Sequence, residues 1–143
     1  MFNEKDNGTA IAVSLLHSEN GHNDFFIYLI KGIIHQKIEQ IGRCSTIISS
    51  LNDSEELTMS ILDTKILEKY QGKMTDGIYI GERYGQTLVD EVFRHAKTVG
   101  VKKIYGKRSG FDTSDKDDSD RWYAFWIKHY GCTASKTGFY KEL

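Results

Sequence analysis

The segment from Gly85 to Val99 carries the most regular hydrophobic pattern in the sequence. Its apolar residues recur at helical spacing and form one stripe, which comprises Leu88, Val89, Val92, Phe93, Ala96 and Val99. The charged residues that fall between them are expected to face solvent; they are Asp90, Glu91, Arg94 and Lys97. Gly100 stands where a glycine commonly ends a helix. The pattern predicts an amphipathic helix that packs against a larger apolar surface.

Strand-forming residues flank this helix on both sides. The segments Leu57–Leu67 and Val101–Tyr105 are predicted to be strands. A strand, a helix and a second strand in this order predict a parallel strand pair with a right-handed crossover. The unit from Leu57 to Tyr105 therefore requires a fold in which at least one helix covers a sheet.

The rest of the sequence favours antiparallel strands. The remaining predicted elements are strands at Ala10–Leu16, Phe25–Ile30, Ile41–Ser49 and Thr137–Leu143 and a helix at Asp120–Tyr130. The dipeptide Asn20-Gly21 indicates a hairpin turn between the first two strands. Helical spacing also runs from Phe26 to Ile41, but we favour a strand that reaches about Ile34. We predict one α/β domain over residues 1–143, with a mixed, mostly antiparallel, twisted sheet and a second, C-terminal helix.

The composition is that of a globular domain without a general charge bias. The chain has 143 residues and a net charge of −1, which argues against a nucleic-acid partner. No apolar run approaches the roughly 20 residues that span a bilayer, and the polar segment Met1–Gly8 is not typical of a signal peptide. Cys44 and Cys132 are predicted to be buried, reduced thiols. We expect a cytoplasmic protein without membrane contact.

Metal-binding patterns are not found in the sequence. The histidines are scattered, and the cysteines have no close partner. The acidic segment Asp112–Asp120 lacks the ligand spacing of a calcium loop, so it is predicted to be a solvated loop before the second helix.

The turn before the Gly85 helix is the strongest candidate for a binding site, because the first N–H groups of a helix and its dipole favour an anion. The sequence reads Ile66-Leu67-Glu68-Lys69-Tyr70-Gln71-Gly72-Lys73 and resumes, after Met74–Arg83, with Tyr84-Gly85-Gln86-Thr87. These two segments together resemble the Gln/Arg-x-x-Gly-x-Gly/Ala turn of the GNAT superfamily of acyl-CoA-dependent N-acyltransferases. Met74–Arg83 is then predicted to be an inserted loop or small hairpin.

A second alignment of this turn remains open. It places the motif at Ile80-Gly81-Glu82-Arg83-Tyr84-Gly85, which needs no insertion but lacks the leading Gln or Arg. We favour the interrupted alignment because it explains matches on both sides. Four further segments resemble, in order, family strands and the end of the last helix: Ile41–Ser45, Gly100–Tyr105, Trp126–Cys132 and Phe139–Leu143.

The resemblance implies a GNAT-like sheet with a βαβ unit that binds acetyl-CoA as acyl donor. The residues implied to position the thioester are Lys65, Ile66 and Leu67, and those implied to hold the phosphates are Gln71, Gly72, Lys73, Arg83, Tyr84, Gly85, Gln86 and Thr87. The implied reaction moves an acetyl or acyl group to an amine of a small molecule, a peptide or a protein.

The catalytic groups match the family less well. The usual proton donor of the last helix falls at Ile127, which carries no such group. Tyr123, one helical turn earlier, is the predicted substitute, and Asp63 is the predicted base, with Glu56 as an alternative. The aromatic segment Trp122–Trp126 is predicted to line an acceptor pocket or a homodimer contact. The alternative function is a catalytically degenerate GNAT-like module that binds CoA or another protein.

Overall fold

The computed structural model describes residues 2–5, 8–32, 34–50, 56–75, 78–107 and 120–143, with backbone only for 2–5, 74–75 and 78–80. The strands are β1 (Phe2–Lys5), β2 (Thr9–His17), β3 (His22–Lys31), β4 (Lys37–Ser50), β5 (Leu57–Ile66), β6 (Lys73–Thr75), β7 (Ile78–Ile80), β8 (Val101–Lys107), β9 (Thr133–Ala134) and β10 (Gly138–Glu142). The helices are α1 (Tyr84–Val99) and a C-terminal helix of π geometry (Tyr123–His129).

Eight strands form one mixed sheet in the order β1-β2-β3-β4-β5-β8-β10-β9. Only the β5–β8 pair among its described strands is parallel, and the other neighbours are antiparallel. The parallel pair is joined through α1, so the predicted strand–helix–strand unit and the mostly antiparallel sheet are confirmed. β6 and β7 pair with each other in a separate two-stranded sheet.

The predicted helix and its glycine stop are confirmed. Leu88, Val89, Val92 and Ala96 are fully buried against the sheet. Gly100 has a φ of 89°, and its N–H is bonded to the carbonyls of the last helical turn. A residue with a β-carbon adopts this left-handed conformation only with strain, which explains the glycine.

Two side chains of α1 depart from the predicted stripe. Glu91 was expected in solvent but is only 6% exposed, and the guanidinium of Arg94 donates to its carboxylate. This pairing holds the pKa of Glu91 below its usual value and keeps the buried group charged. Val99 was expected in the core but is 40% exposed, because the helix ends there and turns away at Gly100.

The strand boundaries also differ in the β3–β4 region. The strand predicted to reach Ile34 ends at Lys31, and β4 begins at Lys37 rather than Ile41. The pairing of Lys31 with Lys37 extends both strands past the last apolar core residue, so backbone hydrogen bonds rather than burial set these ends. The helical alternative for Phe26–Ile41 is not observed in the residues described.

The first hairpin forms as its sequence predicts. Asn20 and Gly21 have φ values of 63° and 78°, which are the left-handed conformations of a tight turn. A β-carbon on Gly21 would collide with the carbonyl oxygen of Ile48 on β4, so the turn also packs closely against the neighbouring strand.

The C-terminal helix lies on the same face of the sheet as α1. Trp126 stacks on Phe139 of β10 with ring centroids 4.2 Å apart, and Tyr130 contacts Phe93 of α1 at 4.8 Å. Both predicted buried thiols, Cys44 and Cys132, are free and buried, and burial raises their pKa values to about 12 and about 11.

Within the described part of the chain, no helix has the length and hydrophobicity needed to cross a membrane. The same residues contain no cluster of His, Cys, Asp and Glu that is suited to a metal ion. Of the acidic segment Asp112–Asp120, only its last residue is among those described.

Candidate functional site

The sheet opens between β5 and β8. Their parallel pairing runs from Leu57 opposite Val101 to Ile61 opposite Gly106 and stops there. Beyond this point β5 continues to Ile66 and is paired with β4 alone among the described strands. A bulge at Leu62 shifts the β4–β5 register just where the strands part. Backbone groups on one edge of the second half of β5 therefore face a gap, in which an extended ligand has room to pair with them.

The start of α1 faces this end of β5. The Thr87 N–H donates to the Arg83 carbonyl at 3.1 Å, which is the first bond of the helical ladder. The amides of Gly85 and Gln86 precede it and have no carbonyl one turn earlier in the helix. The first turn also carries no acidic side chain. The local field at this helix start is therefore positive and suited to an anion.

A depression of about 390 Å³ lies beside this helix start. It is lined by Lys69, Tyr70, Gln71, Gly72, Lys73, Gly81, Glu82 and Tyr84. The structure thus brings together four of the predicted cofactor residues, Gln71, Gly72, Lys73 and Tyr84. At its edge Gly81 has a φ of 132°, and a β-carbon there would lie 2.9 Å from the Cα of Gly72. The two chain segments therefore pass each other at a distance that only glycine permits.

Gln71 ties this depression to two other elements. Its amide Nε2 donates to the Ile66 carbonyl at 2.7 Å, and its Oε1 accepts from Arg121 at 2.8 Å. The Nε of Arg121 is buried and has no hydrogen-bond partner among the described groups. Sequence reasoning missed Arg121, because a residue 50 positions from Gln71 gives no local signal of this contact.

Tyr70 fixes the other wall of the depression. Its hydroxyl donates to the Glu39 carboxylate at 2.6 Å, and Lys69 pairs with the same carboxylate at 3.0 Å. These two partners hold the pKa of Glu39 below its usual value, and the bond to Glu39 raises the pKa of Tyr70. The Tyr70 ring also meets the ring of Tyr84 edge-on at 5.9 Å. The 68–73 segment is therefore anchored both to β4 and to the first residue of α1.

A second depression, of about 580 Å³, lies beyond Glu39 at the end of the β3–β4 hairpin. It is lined by Leu29, Lys31, Lys37, Ile38 and Glu39. None of the predicted site residues lines it, and it is distant from the helix start along the chain. We therefore place the candidate site at the smaller depression.

Gly85 makes room for an aromatic ring at the end of β5. A β-carbon at Gly85 would lie 3.4 Å from Phe125 Cε2 and 3.9 Å from Ile66 Cγ1. The ring that reaches the strand end is thus Phe125 of the C-terminal helix, which has no proton to donate. Tyr130 fixes this helix to α1, since its hydroxyl lies 2.9 Å from Asp90 Oδ1 and 3.0 Å from the Gln86 carbonyl. Burial and Asp90 raise the pKa of Tyr130 well above its usual range.

Other predicted ligand residues occupy the margins of the site. The Leu67 N–H already donates to the Ile41 carbonyl at 2.8 Å, and Thr87 is bonded to Arg83 through both its N–H and its hydroxyl. Lys65 and Arg83 are exposed, and Arg83 occupies the position just before α1. Neither Lys65 nor Arg83 lines the depression, and the amides of Leu67 and Thr87 are used by the fold.

The two predicted catalytic side chains lie on different sides of the sheet. Tyr123 is 47% exposed, and Lys128 Nζ lies 5.8 Å from its ring centroid. Asp63 projects from the face opposite α1, where Arg43 Nη2 lies 3.6 Å from its carboxylate. The structure therefore does not bring Tyr123 and Asp63 into one cluster, and their catalytic roles stay predictions.

The segment between the two halves of the turn contains the β6–β7 pair. Lys73 is opposite Ile80, and Thr75 is opposite Ile78, with Asp76-Gly77 outside the described residues. The alternative alignment needs Ile78–Ile80 as the strand that leads into the turn, but β7 is not a strand of the main sheet. The topology is consistent with the interrupted alignment, and the interpretation of this hairpin as an insertion stays a prediction.

Neither a protein-family profile nor a curated protein matches the sequence. Solved structures do match the fold. An aminoglycoside acetyltransferase from an uncultured soil metagenomic sample, in complex with trehalose, is similar over 87% of this chain and 68% of its own, with a TM-score of 0.55 and 17% identity. Arabidopsis thaliana NAA60 in complex with a bisubstrate analogue is similar over 85% of this chain and 73% of its own, with a TM-score of 0.52 and 14% identity.

A Desulfovibrio desulfuricans protein assigned to the GNAT acetyltransferase family is similar over 85% of this chain and 69% of its own, with a TM-score of 0.53 and 14% identity. Identities this low carry information on the fold alone. The chain therefore has the fold of the GNAT acetyltransferase superfamily.

Proposed function

We propose that this protein is an acyltransferase that moves an acetyl or acyl group from CoA to an amine. The observation that carries the proposal is the depression at the start of α1, where the first helical amides and Lys73 converge on residues predicted from the sequence alone. Lys69, which pairs with Glu39, and the acidic Glu82 also line it. Phosphate groups bind well to such a combination of backbone amides and cations. CoA carries phosphates at one end and a thioester at the other.

The proposed donor spans the depression and the strand gap. The phosphates are held by Gln71–Lys73, Arg83 and the amides of Gly85 and Gln86. Arg121 adds a cation through its contact with Gln71. The thioester arm lies along the second half of β5. Backbone groups of this strand alternate between its two edges, and Leu67 bonds to Ile41 of β4, so Ile66 faces the edge freed from β8. The strand edge holds the thioester in one orientation, which lowers the entropic part of the activation free energy of acyl transfer.

The proposed chemistry is direct attack of a neutral amine on the thioester carbon. The C–S bond breaks, the leaving thiolate takes a proton, and the amine loses one. We assign the proton donor to Tyr123 and the base to Asp63. The two unpaired, buried thiols support a reducing cytoplasmic location for this activity. The acceptor is an amine of a small molecule, a peptide or a protein.

A first test is titration of the purified protein with acetyl-CoA by calorimetry, followed by thioester-consumption assays over a panel of amines. We expect saturable binding and amine-dependent release of free thiol. Tyr123→Phe is expected to lower turnover at least about tenfold with little change in acetyl-CoA affinity, because a general acid contributes typically a hundredfold or more. Unchanged turnover would remove Tyr123 from the mechanism, and no binding of acetyl-CoA would refute the proposal.

A second candidate function is a CoA-binding module without catalysis. The observation in its favour is Phe125, which occupies the end of β5 with a ring that carries no hydroxyl. Tight acetyl-CoA binding without thioester loss in the presence of any amine would select this second function.

A further inference from the structure

The main sheet has one covered and one open face among the described residues. Alternate residues of β3, namely Phe25, Ile27 and Leu29, are buried beneath α1 and belong to the core. Since successive strand residues point to opposite faces, Phe26 and Tyr28 point away from both helices. The contacts of the C-terminal helix with α1 and Phe139 place it on the covered side as well. No described helix packs on the opposite face.

The open face is apolar on three adjacent strands. We define the β2–β4 patch as Leu16, Phe26, Tyr28, Ile30, Ile38 and Ile47, which the strand register places on this face. None of these six side chains belongs to the hydrophobic core or packs against it. Leu16 is 57% exposed and Ile38 is 66% exposed. The largest contiguous apolar surface of a protein is often an interaction site.

The charges on the patch are few and balanced. The formally charged side chains that the register places there are Asp24 and Arg43. Arg43 is already paired with Asp63 on the neighbouring strand at 3.6 Å. A nucleic acid or an anionic membrane needs an excess of cations, which this surface lacks. A surface that carries one charge of each sign and many apolar side chains is instead complementary to itself.

The area of the patch matches what a modest dimer needs. At about 3.3 Å per residue along a strand and about 4.8 Å between strands, β2, β3 and β4 present roughly 500 Å². Two copies face to face bury roughly 1,000 Å² in total, which is near the lower limit of a specific interface. We propose that the β2–β4 patch packs against the same patch of a second copy of this chain.

The packing is that of two aligned sheets about 10 Å apart, related by a two-fold axis along the strands. In this arrangement β5 and β8 of each copy lie to one side of the contact, so the strand gap of the candidate site stays accessible. The proposal therefore does not depend on the proposed function. Interfaces near this lower limit of size are typically weak or transient, so we expect a dissociation constant in the micromolar range.

Sedimentation velocity of the full chain from about 1 to 200 μM tests the proposal, since this range spans a micromolar dimer. We expect a concentration-dependent monomer–dimer equilibrium. Phe26→Glu is expected to raise the dissociation constant at least about thirtyfold, because each dimer loses two aromatic contacts. Phe26 is opposite Arg43 in the register, so the new carboxylate has a cation beside it and the fold is retained. Val99→Glu, with the same charge change at an exposed site of α1, serves as the control and is expected to dimerise as wild type.

A labelling experiment gives a second measurement that does not depend on a disruptive variant. Ser14 is exposed on the same face beside Tyr28, and both native thiols are buried. In Ser14→Cys, the rate of maleimide labelling is expected to fall at least about tenfold as the protein concentration rises through the dimer range. A constant labelling rate, a monomer at every concentration, or equal dimerisation of Phe26→Glu would overturn the proposal. So would a monomer that binds a single-stranded oligonucleotide through this face.

Discussion

The substitution Gly85→Asp separates the role of the α1 start in ligand binding from its role in the fold. Gly85 lies in the first turn of α1, where a carboxylate interacts favourably with the helix dipole by about 0.3–1 kcal/mol. Its added β-carbon lies 3.4 Å from Phe125, a contact that a small shift of the ring relieves. The variant is therefore expected to be about as stable as wild type. The same carboxylate occupies the proposed phosphate site.

The expected loss of acetyl-CoA affinity is large. For a carboxylate about 5 Å from one phosphate charge, an effective dielectric constant of about 20 gives a repulsion of about 3 kcal/mol, which is more than about a hundredfold in Kd. Gly85→Ala adds the same β-carbon without the charge, so it is expected to bind within about threefold of wild type. Calorimetric titration gives the affinities, and thermal unfolding gives the stabilities. A stable Gly85→Asp that binds acetyl-CoA like wild type would refute the placement of the phosphates.

Two further predictions concern stability. Gly106→Ala is expected to lower the free energy of unfolding by about 1–3 kcal/mol, because a β-carbon there falls within the ring of buried Phe139. Urea unfolding measures this change, and a stability equal to that of wild type would contradict the packing. Burial and the neighbouring His17 lower the pKa of His95 in the folded protein. Below about pH 6.5 the unfolded chain therefore binds more protons at this residue than the folded protein does. The melting temperature is expected to fall as the pH drops below that value. This fall is expected to be shallower in His95→Gln and unchanged in the exposed control His35→Gln.

The strand–helix–strand unit was predictable because residues close together in the sequence determine each of its elements. The stripe of α1, the glycine after it and the Asn20-Gly21 turn are decided within a few residues of sequence. The short edge strands β1 and β9 were missed, since backbone pairing rather than an apolar pattern makes them strands. Glu91 was misplaced because a charged residue in a helical pattern indicates solvent, whereas Arg94 one turn later allows it to be buried.

Only those residues of the candidate site that are close together in the sequence were predictable. Gln71, Gly72, Lys73 and Tyr84 are within one stretch of chain, and the depression collects them. The contacts that fix their positions are non-local. They come from Glu39 on β4 and from Arg121 in the first turn of the C-terminal helix, and no spacing rule connects these residues to the turn. The exchange of an expected hydroxyl for Phe125 at the strand end likewise depends on the register of a helix packed against α1.

The proposed reaction uses the two faces of the sheet for different substrates. The start of α1 and its depression lie on the covered face, whereas Asp63 projects from the open face at the same half of β5. Under the proposed function, donor and acceptor therefore reach the gap between β5 and β8 from opposite sides. A donor bound on the covered face leaves the open side of the gap free for an amine, and Asp63 is the carboxylate nearest to that entry along β5. The β2–β4 patch lies on the same open face, and one strand, β5, separates it from the gap. Dimerisation through this patch leaves the gap accessible, so the dimer and the reaction can each be tested without assuming the other.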